Sequence, residues 1–154
     1  MEESIKLAYL IVAHHQPNHL ARLVQALDEE HSSFFVHIDE KVSLTLFQAA
    51  VPKAQNIVFL SDRVAVEWGK LSVVQATLKL LQTAIDSGHT FKYFTLLSGS
   101  DYPIKDRQAI YACLRASDRQ FIRIDRKLTD ETQISHHQFI KNLPEGKYFG
   151  DLTP

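Results

Sequence analysis

Four short stretches hold the residue types that do chemistry: His14-His15-Gln16, His37-Ile38-Asp39-Glu40-Lys41, Glu67-Trp68-Gly69 and Ser98-Gly99-Ser100-Asp101. Imidazoles can move protons or ligate a metal. A carboxylate held at the end of a strand can accept hydrogen bonds from hydroxyl or N–H groups of a ligand. Each stretch also has a plainer explanation. The histidine pair can be a polar turn, Asp39 and Asp101 can cap the turn or helix that follows, and Trp68 can anchor a core. His14, His37 and Asp39 together admit a further chemistry, a metal-dependent hydrolase. No ligand pair sits at i, i+4 helical spacing for it, and no cysteine joins the three.

Each stretch follows an apolar or β-branched run that must place it. KLAYLIVA (residues 6–13) is apolar throughout and reads as a strand buried on both faces. SFFVHID (33–39), NIVFLS (56–61), KYFTLLSG (92–99) and QFIRID (120–125) read as further strands. Between them lie helical patterns. NHLARLVQALDEE carries Leu20, Leu23, Val24 and Leu27 at helical spacing after Pro17. Ser43 is placed to cap residues 44–50, which Pro52 closes off. The segment from Lys70 to Asp86 shows the clearest period, with Leu71, Val74, Leu78, Leu81 and Ile85 expected to form its packing face and Gly88 its C-cap. RQAIYACLRA reads as a last helix.

This alternation predicts an α/β fold: a Rossmann-like, mostly parallel sheet with helices on both faces. In such sheets ligands bind outside the carboxyl ends of the strands, where the departing loops diverge. All four chemical stretches sit at those ends. The expected organisation is one α/β domain over residues 1–126. Residues 127–154, where the periodicity weakens, form the start of an incomplete region with one short helix, 131–141.

Composition narrows the classes. The 154 residues are 45% hydrophobic and 23% charged, with a net charge of −1, so nothing marks a surface for nucleic acid or an anionic membrane. The single Cys113 excludes an internal disulfide and fits a reducing compartment. The acidic start MEESIK is unlike a signal peptide, and no run approaches the roughly 20 apolar residues of a membrane span. A cytoplasmic protein is the expectation. The GxGxxG, GxxxxGK[ST] and GxSxG patterns are all missing where a dinucleotide, P-loop or nucleophile-elbow site would need them.

Taken together, AYLIVAHHQPNHLARLVQAL, FFVHIDEK, VEWGKLSVVQATLKLL and YFTLLSGSDYPIK resemble, in order and spacing, glycosyltransferase family 14. That family comprises the core-2/I-branching N-acetylglucosaminyltransferases and the peptide-O-xylosyltransferases. With Ala65 three residues before Trp68, where the branching enzymes carry tyrosine, the local wording is nearer the xylosyltransferase pattern. The resemblance implies a GT-A-like fold, a UDP-GlcNAc or UDP-xylose donor, a glycan or other hydroxyl acceptor, and transfer with inversion. It implies no DxD metal site and no cofactor beyond the donor. Carried over residue by residue, it puts Val12, His14 and Asp39 at the uridine, and Trp68, Ser98 and Asp101 with Tyr102 and Pro103 around the donor. It places the catalytic base and the cationic groups for the leaving diphosphate after Pro154, so no catalytic residue is assigned. Glu131, His136, His137 and Lys141 match no motif. The alternative is a non-catalytic fragment of the same fold with a binding or regulatory role.

Overall fold

The computed structural model describes residues 4–67 and 69–121. The chain divides after Asp118 into two compact units, Met1–Asp118 and Arg119–Pro154, and the sheet belongs to the first.

Four parallel strands form one sheet: β1 (Leu7–Ala13), β2 (Ser32–Ile38), β3 (Ile57–Phe59) and β4 (Tyr93–Ser98), in the order β3-β2-β1-β4. The continuous apolar run of β1 is explained by its central place, hydrogen-bonded on both edges and covered on both faces. Its odd residues Leu7, Tyr9, Ile11 and Ala13 pack in one core with Phe34, Val36 and Ile38 of β2. Its even residues Ala8 and Leu10 pack in a second core with Phe35. Period-2 alternation thus divides one strand between two layers.

Helices cover both faces, which makes the unit α/β and Rossmann-like. α1 (Pro17–Leu27), α2 (Leu44–Ala50) and α4 (Arg107–Arg115) contribute to the first core through Leu20, Leu23, Val24 and Leu27, through Phe47, and through Ile110, Tyr111 and Leu114. α3 (Leu71–Asp86) lies on the second through Leu80 and Ala84. α1 starts on Pro17, whose missing N–H suits the first turn, and α4 starts on Asp106, whose carboxylate accepts from Ala109 N at 2.9 Å.

α3 packs on a different face from the one its sequence predicts. Ala76, Leu80 and Ala84 are its buried residues, and Leu81 of the expected face packs partly buried against the same core, whereas Val74, Leu78 and Ile85 are exposed. Small residues let the helix lie close on the sheet, and much of the more strongly apolar stripe turns away from it. Phe94 and Leu96 of the edge strand β4 are also exposed. No helix among the described residues is long and apolar enough to cross a membrane. Of the remaining sequence expectations, Trp68, the 120–125 strand from Ile122 onward and the 131–141 helix lie outside the described residues.

Candidate functional site

The strand order reverses at β1: β2 and β3 lie to one side of it and β4 to the other. At such a switch point the connections leave in opposite directions and open a crevice at the carboxyl ends. A cavity of about 850 Å³ occupies that position. Val12 and His14 line it from the end of β1, Ser98 from the end of β4, and Asp39 from the end of β2. These four sequence-predicted residues therefore share one crevice. Val73 and Thr77 of α3, with Leu96 and Leu97 of β4, supply an apolar side, and Lys41, Val66 and Glu67 complete the lining.

Gly99 brings the tips of β1 and β4 together. Its amide donates to Val12 O at 2.8 Å, continuing the β1–β4 ladder past the last strand residue. A Cβ built on it would lie 2.4 Å from the Ala13 Cβ, so only glycine lets the two strand tips approach this closely.

Asp39 is 5% exposed. Its Oδ1 accepts from Lys41 N at 2.9 Å and from Val66 N at 3.3 Å, and Oδ2 lies 3.5 Å from Lys41 Nζ. One oxygen is thus held by backbone amides, and the other has only an exposed lysine beside it. Asp101 is arranged differently. Its Oδ2 accepts from Ser98 N at 2.8 Å, its own N–H donates to Ser98 O at 3.0 Å, and it does not line the crevice. It closes the turn after β4, as the capping alternative anticipates. His19 Nε2 contacts Asp101 O at 3.1 Å, and the Arg22 guanidinium lies 5.7 Å from the Tyr102 ring centroid, which ties α1 to that turn. The His14 and His15 rings stack with centroids 4.3 Å apart.

Val66 and Glu67 of the lining belong to the segment 61–67, which is fastened to the end of β2 at several points. Val64 N donates to His37 Nε2 at 2.9 Å, and Glu40 N donates to Val64 O at 3.1 Å. Arg63 Nη1 donates to Asp39 O at 3.1 Å and to Val42 O at 2.9 Å. Lys41 Nζ donates to Val66 O, and Lys79 of α3 pairs with Asp62. The sequence points to Asp39 but not to this clasp, since five of its contacts use backbone atoms that carry no residue signature. Lys41 belongs to the strand-end stretch that the sequence puts on this rim, though the resemblance gives it no role; Val66 carries no signal of its own.

His37 is fully buried. Burial holds its imidazole below the usual histidine range; Arg63 and Lys79 act in the same direction, and its own backbone and Asp39 oppose them. Because Val64 N donates to Nε2, the geometry fits the neutral tautomer that carries its proton on the buried Nδ1. A metal would need Nε2 or a deprotonated Nδ1, and Nε2 is engaged. Among the described residues no group of three or more His, Cys, Asp or Glu side chains is placed to hold an ion. A second cavity, about 710 Å³, opens at the amino ends of the strands beside Asp28, Glu29 and Glu30. There Asn56 Nδ2 donates to Asp28 Oδ1 and Arg107 Nη1 to Asp28 O, so part of its polar rim is satisfied internally.

The model of the Core-2/I-Branching enzyme family matches residues 7–148. Xylosyltransferase 2 of Rattus norvegicus is 28% identical over 125 residues, covering 77% of this chain and 14% of the rat protein. A beta-1,3-galactosyl-O-glycosyl-glycoprotein beta-1,6-N-acetylglucosaminyltransferase of Bos taurus is 32% identical over 117 residues, covering 74% of this chain and 27% of the bovine protein. The corresponding enzyme 4 of Mus musculus is 27% identical over 149 residues, 93% of this chain and 32% of the mouse protein. The chain spans about a third or less of the length of these curated relatives.

Proposed function

Since the chain belongs to the Core-2/I-branching enzyme family, we propose that its crevice is the donor half of a glycosyltransferase site, holding a UDP-sugar for transfer to a hydroxyl acceptor. The relatives named above are xylosyl- and N-acetylglucosaminyltransferases, which makes UDP-xylose and UDP-GlcNAc the donors of choice. We read the fold as GT-A-like and the transfer as inverting and independent of a divalent cation. The observation that carries the reading is Asp39: a carboxylate nearly excluded from water that lines the crevice, one oxygen fixed by two amides and the other beside only the exposed Lys41 ammonium. A ribose hydroxyl pair or a uracil imide is a donor that suits such an oxygen. Val12, His14 and Ser98 approach the same volume from the neighbouring strand ends. Val73, Leu96 and Leu97 offer apolar surface to a planar base.

Inverting transfer further requires a base for the acceptor hydroxyl and positive charge for the departing diphosphate. The proposal gives neither role to a described residue.

Calorimetric titration of the chain with UDP, UDP-xylose and UDP-GlcNAc tests the donor site. Asp39→Asn is the informative variant, because its amide oxygen still accepts from Lys41 N and Val66 N while the Oδ2 position becomes a donor. UDP affinity is expected to fall about 10- to 100-fold, the effect of losing a hydrogen bond to a charged acceptor. Absence of nucleotide binding at millimolar concentration, or unchanged affinity in Asp39→Asn, overturns the reading.

A further inference from the structure

We propose that His37 is the positioning residue of the crevice: its neutral imidazole, accepting the Val64 amide at Nε2, holds the 61–67 segment in place and thereby sets the geometry of Asp39. The inference rests on the donor-site reading for its ligand, and on the clasp geometry alone for its physical content.

The clasp has two layers. Val66 N reaches Asp39 Oδ1 only when the segment lies along the end of β2. Two residues earlier, Val64 N reaches His37 Nε2, and Val64 O accepts from Glu40 N. His37 and Asp39 occupy alternate positions of one extended strand end, so their side chains leave on the same side. They bind alternate amides of the facing segment. The arrangement copies a strand pairing with side chains in place of one backbone. Removing the acceptor at 37 loosens the segment at its middle, and Asp39 then loses one of the two amides that fix Oδ1.

Hydrogen bonding imposes a strict condition on His37. An imidazole with a proton on Nε2 would present N–H to the Val64 N–H, two donors without an acceptor, beside a ring that is itself fully buried. Both the second neutral tautomer and the doubly protonated ring are therefore incompatible with the clasp. The charged and titratable groups around the ring are Asp39 on its own strand, Arg63 on the clasped segment and Lys79 on α3, and Lys79 is itself paired with Asp62. Two cations against one carboxylate reinforce the neutral form.

The test uses the intact chain, uniformly labelled with ¹⁵N, titrated from about pH 8 down past the ordinary histidine value of about 6.5 until the His37 ring takes up its proton. Long-range ring correlations are expected to show an unprotonated Nε2 on His37 at neutral pH. As His37 takes up a proton, the Val64 and Val66 amides should lose exchange protection together, with UDP affinity falling about tenfold in parallel. His37→Gln supplies a neutral oxygen that can accept from Val64 N. It should stay within about threefold of the parent at neutral pH and lose the acid-side fall in affinity. His37→Leu, with no acceptor, should bind UDP about tenfold more weakly while its thermal unfolding remains cooperative. A proton on Nε2 at neutral pH overturns the proposal, as does a Val64 amide indifferent to His37 titration. If the parent chain binds no UDP, the donor-site reading fails, and the tautomer and amide measurements still decide the positioning role.

Discussion

Asp39 and Asp101 are both strand-end acids followed by polar residues, and only the conformation of the next few residues separates their roles. At Asp39 the chain runs on so that the side chain meets the facing 61–67 segment. At Asp101 it folds back within three residues, and the carboxylate reaches the Ser98 amide. Sequence showed that both lie on one rim; it could not show which would turn inward, because either conformation suits Asp. Asp101→Ala should therefore act on the turn, lowering stability by about 0.5–1.5 kcal/mol in urea unfolding. Gln16 is the complementary case. It adopts φ 54° just before Pro17, a left-handed conformation that costs a non-glycine residue roughly 1 kcal/mol or more. Gln16→Gly is expected to raise the unfolding midpoint modestly or leave it unchanged, the relieved strain opposing the added freedom of the unfolded chain. The strain sits in the turn just after His14, which lines the crevice, a position where it serves placement.

For whole elements, sequence was a good guide to existence and a poor one to orientation. The apolar run of β1, the short helix after Ser43 and the long helix ending near Asp86 were all legible, because periodicity and turn residues are local. The packing face of α3 was not. Its largest side chains mark one stripe and its alanines another, and the sheet selected the alanines, since close approach counts for more there than side-chain size. Leu80→Ala should accordingly cost about 2–5 kcal/mol, the range for truncating a fully buried leucine. Leu78→Gln, two residues away and 45% exposed, should stay within about 0.5 kcal/mol. A matched pair of thermal unfolding curves separates the two faces, and a reversed order would contradict the packing described here.

Across the whole unit, titration of one buried ring links the site to stability. The His37 pKa is lowered in the folded chain, so the unfolded chain takes up the proton first as pH falls. Stability that is complete above the ordinary histidine value of about 6.5 should be lost progressively as pH drops towards the depressed folded value. Unfolding midpoints measured between about pH 8 and about pH 5 should decline below about pH 6.5. His37→Gln should flatten that part of the profile. The parallel architecture and the rim where its loops gather were legible from strand–helix alternation. The β3-β2-β1-β4 order itself arises from pairings between residues far apart in the chain, which no local pattern encodes.

The contact between Gly99 and Ala13 has a kinetic corollary. Two strand tips locked this closely cannot slide past each other, so the residues they carry, Val12 and Ser98, form a fixed half of the crevice. The opposite half is attached through side chains and isolated amides, each able to break and re-form singly. Ligand entry and escape should thus be controlled from the 61–67 side. The residence time of a bound nucleotide would then reflect how often that clasp opens, a lifetime set by hydrogen bonds to His37 and Asp39 rather than by the strength of the sheet beneath.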